Sequence, residues 1–323
     1  MATHGEDALL AAIDLHFPGS AALRGDDCAV LATTSPLLVS TDLFLENAHF
    51  RGRYFLPEEI GHKALAVNIS DIAAMAGRPL GFSLGLGLPA SLDSGYFNRL
   101  LSGMARVANC YGLDLTGGDL SAADSLFISI TIQGTAWGKN TPFLHRRAAL
   151  PGDALLCVGA LGLARLGLDQ MEKQGRDAQS NCPLACAAHL TPEPLVEQAH
   201  TLLSTAMRFG LAHRVGLMDV SDGLARDLPR LVGPDLAVNL ESGAVPVPEE
   251  VARCAGRHHI DAVRHCLLGG EDYALAVTCP ESLAGHILDA VPEGCRIGSV
   301  VEGRGVLLDG KALNAAGFDH FSV

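Results

Sequence analysis

Carboxylates and hydroxyls recur in this chain beside glycine at the ends of apolar segments, and these are the residues best placed to do chemistry. Asp219-Val220-Ser221-Asp222-Gly223 follows the apolar run Val215-Gly216-Leu217-Met218. Gly25-Asp26-Asp27, Ser40-Thr41-Asp42, Ser70-Asp71, Gly117-Gly118-Asp119 and Gly270-Glu271-Asp272 repeat that layout. Two such carboxylates within about 5 Å repel by roughly 3 kcal/mol at an effective dielectric near 20, so a converging cluster needs cations. Carboxylates together with the hydroxyls of Ser40, Thr41 and Ser221 form an all-oxygen donor set that favours magnesium over zinc or copper. Magnesium held this way takes its remaining ligands from water and phosphates, which implies a nucleotide. A single Asp-Gly is more often a turn than a ligand. Seven aspartates, Asp26, Asp27, Asp42, Asp71, Asp119, Asp219 and Asp222, share one placement, which chance turns explain less well than they explain one.

Other chemistries find little support. No Gly-x-x-x-x-Gly-Lys-Ser/Thr occurs, and none of Lys63, Lys139, Lys173 and Lys311 lies in a glycine-rich loop, which excludes a P-loop enzyme and the protein-kinase signature set. Cys28 has its thiolate disfavoured by neighbouring Asp27. Gly85-Leu86-Gly87-Leu88-Pro89-Ala90 is formally close to a dinucleotide fingerprint, but the expected helix starts only after Pro89. His49, after Glu46-Asn47-Ala48, closely follows the Asp42 segment and is the histidine of interest. His258, His259 and His265 lack metal-ligand spacing.

These residues must be positioned by a large core. A chain of 323 residues with 48% hydrophobic content has room for two domains. A net charge of −13 argues against a nucleic-acid or anionic-membrane surface. Acids near the N-terminus, and no apolar run approaching a membrane span of about 18 residues, give the expectation of a cytoplasmic protein. Nine cysteines without a Cys-x-x-Cys pair are expected to be reduced and packed as small apolar side chains.

The patterning predicts a helix over 6–16, strands over 28–31 and 37–41, the latter ending in Asp42, and a helix over 58–76 opened by Pro57. A strand over 82–88 and a helix over 92–111, capped by Ser91 and ended by Gly112, follow. A strand over 113–116 runs into Gly117-Gly118-Asp119, and another covers 126–137. Residues 139–152, with Pro142, Pro151 and His145-Arg146-Arg147, have the composition of a linker between domains 1–138 and 153–323. The second domain is expected to carry strands over 154–158, 217–220, 237–240, 273–279, 296–301 and 306–308. Its helices are expected after Gly162 and over 194–210, 224–231, 248–255 and 280–290, with 173–181 as a loop. Strands and helices mix without strict alternation, which indicates an α+β or mixed α/β class.

Taken together, these stretches resemble the thiamine-monophosphate kinase family. The matching words are Gly25-Asp26-Asp27-Cys28-Ala29-Val30-Leu31, Ser40-Thr41-Asp42 with Glu46 and His49-Phe50, 63–75 from Lys63 to Met75, Gly117-Gly118-Asp119, Asp219-Val220-Ser221-Asp222-Gly223-Leu224, Gly269-Gly270-Glu271-Asp272-Tyr273 and Gly317-Phe318-Asp319-His320-Phe321. They stand in family order from residue 25 to the C-terminus. The resemblance implies ATP-dependent phosphorylation of thiamine monophosphate to thiamine diphosphate on the two-domain fold of aminoimidazole ribonucleotide synthetase. Its N-terminal sheet would pair across a homodimer. It implies several magnesium ions held by Asp27, Ser40, Thr41, Asp42, Asp71, Asp119, Asp219 and Asp222, with Asp42 and Asp71 the most critical. It places ATP, the co-substrate, at Gly118, Asp119, Arg146 and Ser221, and thiamine monophosphate at His49, Glu271 and Phe318. No side chain is expected as nucleophile or general base, because the acceptor is itself a phosphate.

The chain departs from the family's pattern at three places. Leu120, Ser121 and Ala122 follow Gly-Gly-Asp where a Thr or Ser pair and an Arg are usual, Leu195 follows Pro192-Glu193-Pro194 where Arg is usual, and Asn47 replaces a glycine. Two competing expectations follow: another ATP-using enzyme of the same fold, a synthetase or dehydratase, or a catalytically weak binder of nucleotide or thiamine phosphate.

Overall fold

The structure is a computed structural model and describes residues 12, 15–17 and 36–314. Asp26, Asp27, Cys28 and Phe318, the element expected over 28–31 and most of that expected over 6–16 lie outside the described residues. The chain divides into two compact units, one running to Ile72 and resuming over Gly77–Thr141, the other comprising Ala73–Ala76 and the chain from Pro142 on.

The first unit carries strands β1 (Leu37–Leu45), β2 (Arg78–Leu88), β3 (Asp114–Ala122) and β4 (Phe127–Thr135) and helices α1 (Pro57–Ala73) and α2 (Ser94–Tyr111). The sheet runs β1-β4-β2-β3, with β4 antiparallel to β1 and β2, and β2 parallel to β3. Period-two alternation divides its faces. Ile128, Ile130 and Ile132 share a register with Phe82, Leu84 and Leu86 and are buried, as are Ile60, Leu65, Ile69 and Ile72 of α1. Pro57 opens α1, and Glu59 reaches back to accept from the Leu56 amide at 2.7 Å, the reciprocal half of a capping box. α1 and α2 touch backbone to backbone: a Cβ on Gly61 would lie 2.0 Å from the Leu100 carbonyl, and one on Gly103 1.9 Å from that of Glu58.

Three details differ from the sequence expectation. β1 does not end in Asp42 but continues to Leu45, because Leu43 to Leu45 pair with β4. Gly117-Gly118-Asp119 lies inside β3, where Gly118 is required by the Leu84 carbonyl, 1.9 Å from any Cβ placed there. The N-cap of α2 is Asp93, whose carboxylate accepts from the Tyr96 amide at 2.8 Å, and not Ser91; Gly112 closes the helix in the left-handed region as expected.

The second unit is built on a seven-stranded sheet, β11-β10-β7-β9-β5-β8-β6. Its strands are β5 (Ala154–Val158), β6 (Gly216–Asp219), β7 (Leu236–Leu240), β8 (Leu275–Cys279), β9 (Gly294–Glu302), β10 (Gly305–Leu308) and β11 (Lys311–Ala312). Only β7 and β10 are parallel. β5 and β8 are buried at every residue, which is why they read as unbroken apolar runs. Helices α3 (Leu163–Gln174), α4 (Pro183–Leu190), α5 (Val196–Arg208), α6 (Leu224–Val232), α7 (Glu249–His258), α8 (Ala262–Leu268) and α9 (Glu281–Ala290) complete the unit. α4 and α8 have no counterpart in the sequence expectation, being too short to establish a helical period, and the expected loop over 173–181 contains a 3-10 helix, Gly175–Ser180.

Candidate active site

In the first unit, alternation along β1 sends Ser40 and Asp42 to the helix-covered face and Thr41 to the other. The Ser40 hydroxyl donates to Asp71 Oδ2 of α1 at 2.5 Å. Burial, then the charge of Asp71, push the Asp42 carboxyl up to about 6. Two carboxylates held close at a cost are the arrangement that a cation would relieve, and the donors are hard oxygens suited to magnesium. Thr41 Oγ1 lies instead 2.9 Å from Thr131 Oγ1 on the open face. Asp119 is exposed on β3, at the far edge of the sheet from β1 and about 14 Å away by ordinary strand spacing. Among the described residues no three His, Cys, Asp or Glu side chains form a metal-holding group.

His49 sits in the turn that leaves β1. Its Nδ1 accepts from the Leu45 amide at 3.1 Å, so in the neutral ring Nε2 carries the hydrogen. The ring stacks on Phe44, which in turn stacks on Phe50. Asn47 in this turn has φ 66°, a left-handed conformation that Asn tolerates better than most residues, so its standing in place of glycine has a backbone explanation.

In the second unit two sequence words meet as adjacent loops. The Glu271 amide donates to the Ser221 carbonyl at 2.7 Å and the Tyr273 amide to that of Val220 at 2.9 Å. The fit is tight: a Cβ on Gly270 would lie 2.7 Å from the Ser221 carbonyl oxygen. Asp227 of α6 is 1% exposed and accepts from the amides of Ser221 at 3.1 Å and Asp222 at 3.0 Å. Burial outweighs these bonds and raises its carboxyl to about 6. Asp219 is buried at the end of β6. Asp222 faces Arg226 Nε at 3.8 Å and Arg230 Nη1 at 2.8 Å, cations in the first and second turns of α6. Asp272 turns inward to the start of α3, accepting from the amides of Gly162 at 2.8 Å and Ala164 at 3.3 Å. Arg146 is exposed, and Leu195 packs against Gly159, 3.0 Å from the position of a Cβ there.

The sequence did not single out Asp227, the two arginines of α6, or His189, whose Nδ1 lies 3.2 Å from Glu271 Oε2. Asp227 and Arg230 were findable from their spacing on a helix following the Asp-Val-Ser-Asp-Gly word. His189 was not, lying 82 positions before its partner in an unrecognised helix.

Comparison with known proteins bears on what this arrangement is for. Residues 25–138 match the family model described as AIR synthase related protein, N-terminal domain. The thiamine-monophosphate kinase of Aquifex aeolicus is 30% identical over 299 residues, 92% of each chain. That of Synechococcus elongatus is 32% identical over 92% of this chain and 89% of its own. The solved structure of AaThiL complexed with AMPPCP and TMP has 29% identity and a TM-score of 0.78, covering 99% of this chain and 98% of its own. The hydrogenase maturation protein HypE, at 24% identity and TM-score 0.74, shares the fold. The length, order and identity of these matches decide the assignment: this chain belongs to the thiamine-monophosphate kinase family.

Proposed function

We propose that this protein phosphorylates thiamine monophosphate to thiamine diphosphate with ATP, as an Mg2+-dependent homodimer in the cytoplasm. Family membership supplies the activity, and the observation that carries the mechanism is the joint placement of Ser40, Asp42 and Asp71. A terminal phosphate oxygen of thiamine monophosphate attacks the γ-phosphorus of ATP, the bond from that phosphorus to the β,γ-bridging oxygen breaks, and ADP leaves. The acceptor oxygen is already anionic at neutral pH, so in-line placement matters more than a base. Magnesium, when bound, would neutralise phosphate charge.

Asp42 and Asp71 are assigned to magnesium together with Ser40, and Asp27, Thr41, Asp119, Asp219 and Asp222 complete the proposed set. Thr41 would serve through its carbonyl, since its hydroxyl is turned to Thr131. ATP is assigned to Gly118, Asp119, Arg146 and Ser221. Thiamine monophosphate is assigned to His49, Glu271 and Phe318. His49 can donate from Nε2 to a phosphate oxygen, while an ionised Glu271 suits a cationic thiazolium and Phe318 its aromatic rings.

The dimer reading is supported by the open face of the first unit's sheet, where Leu37, Val39 and Leu43 are 41%, 60% and 50% exposed. A strip of that kind on an edge strand calls for a partner surface. No helix among the described residues is long and apolar enough to cross a membrane, which is compatible with the cytoplasmic reading.

The test is incubation of the purified protein with ATP, magnesium and thiamine monophosphate. Thiamine diphosphate and ADP in equal amounts are expected. ADP without the diphosphate would transfer the case to the synthetases and dehydratases of the fold, and binding with neither product would make the chain a binder.

A further inference from the structure

We infer that His189 is a positioning residue for the thiamine phosphate site, holding the Glu271 carboxylate in the orientation that meets the substrate's cationic, aminated rings. The inference rests on the assignment of Glu271 to thiamine monophosphate. Glu271 lies on a loop whose backbone is held in unfavourable conformations, with φ 63° at Glu271 and 49° at Tyr273, neither of them glycine. That backbone is pinned on two sides, by the bonds to the carbonyls of Val220 and Ser221 and by Asp272 on the first amides of α3. The glutamate side chain, 28% exposed, has three rotatable bonds that the backbone does not fix.

His189 constrains that side chain. It stands in the last turn of α4, is 2% exposed, and brings Nδ1 to 3.2 Å from Glu271 Oε2. With Nδ1 protonated, the ring presents its N–H to that carboxylate, which can only accept. α4 is itself fixed for the purpose. Glu250 accepts from the amides of Leu184 and Ala185 at its start. Gly167 of α3 lets the two helices close until a Cβ there would lie 2.0 Å from the Ala185 carbonyl oxygen and 2.8 Å from His189 Cβ. A buried imidazole on a rigid helix and a partly exposed carboxylate on a strained loop form a unit in which one side chain orients the other.

Steady-state kinetics on the full chain with ATP and magnesium test this through His189→Phe, which keeps a ring and removes the donor, with His189→Leu as a second variant should the first not fold. The expected result is a rise of about tenfold in KM for thiamine monophosphate, with kcat and KM for ATP unchanged. His189→Asn, whose amide can donate from nearly the same place, should bring that KM most of the way back. In the Glu271→Gln background, His189→Phe should add little, because its effect passes through the glutamate. An unchanged KM for thiamine monophosphate, an effect fully additive with Glu271→Gln, or a parallel loss in kcat and both KM values without rescue by Asn would overturn the inference. Glu271→Gln alone with an unchanged KM would instead overturn the assignment of Glu271 on which it rests.

Discussion

Asp42 is held close to a second carboxylate, Asp71, at an electrostatic cost. It stood out as a carboxylate beside two hydroxyls, and the fold sets it against Asp71 with its carboxyl raised to about 6 by burial and that charge. In Asp42→Asn the repulsion disappears along with the anionic ligand. Thermal stability should therefore be equal to or above that of the parent, while kcat falls by a hundredfold or more, the equivalent of about 3 kcal/mol of lost transition-state stabilisation. Near-normal turnover, measured beside a melting curve, would remove Asp42 from the metal site. Thr41 was grouped with Ser40 and Asp42 because the three are contiguous, but a strand sends neighbours to opposite faces, so its hydroxyl meets Thr131. His189 could not be read at all, since its meaning lies wholly in a contact with Glu271.

At the scale of elements, the sequence revealed long periodic segments and missed what depends on pairing. α1, α2 and β5 were visible from apolar spacing, and β5 occupies its expected span, 154–158. The end of β1 and the course of β3 through Gly117-Gly118-Asp119 depend on partner strands, which no local pattern encodes. The Gly269 to Tyr273 segment is a loop whose position is set by a carboxylate reaching α3, 110 residues away in sequence from Gly162. Burial first, then the charge of Glu271, raise the Asp272 carboxyl to about 8 against the opposing effect of its two amide bonds. The folded state thus binds this proton more tightly than the unfolded chain. The resulting stabilisation is full below about pH 4 and is lost as pH rises through about 8. Asp272→Asn should flatten that part of the stability curve, gaining relative to the parent as pH rises. Chemical denaturation across this range would check it, and parallel curves for the two proteins would show that Asp272 does not titrate there.

For the whole molecule, the mixed α/β class was legible from strands and helices mixing without strict alternation, and the fold because seven motif words lay in one order along the chain. The proposed dimer comes only as an implication of the resemblance, since a strand's open face carries no label of what covers it. The exposed strip on β1 gives that implication a physical form. In the proposed dimer, Val39→Lys combined with Leu43→Lys would bury two charges per copy, and light scattering should then report a monomer. A dimer that persists would place the interface elsewhere. Direct phosphoryl transfer from ATP to thiamine monophosphate can be followed with ATP labelled in its γ-phosphate. The label should appear in the terminal phosphate of thiamine diphosphate, in step with ADP, and label found only in inorganic phosphate would contradict the claim.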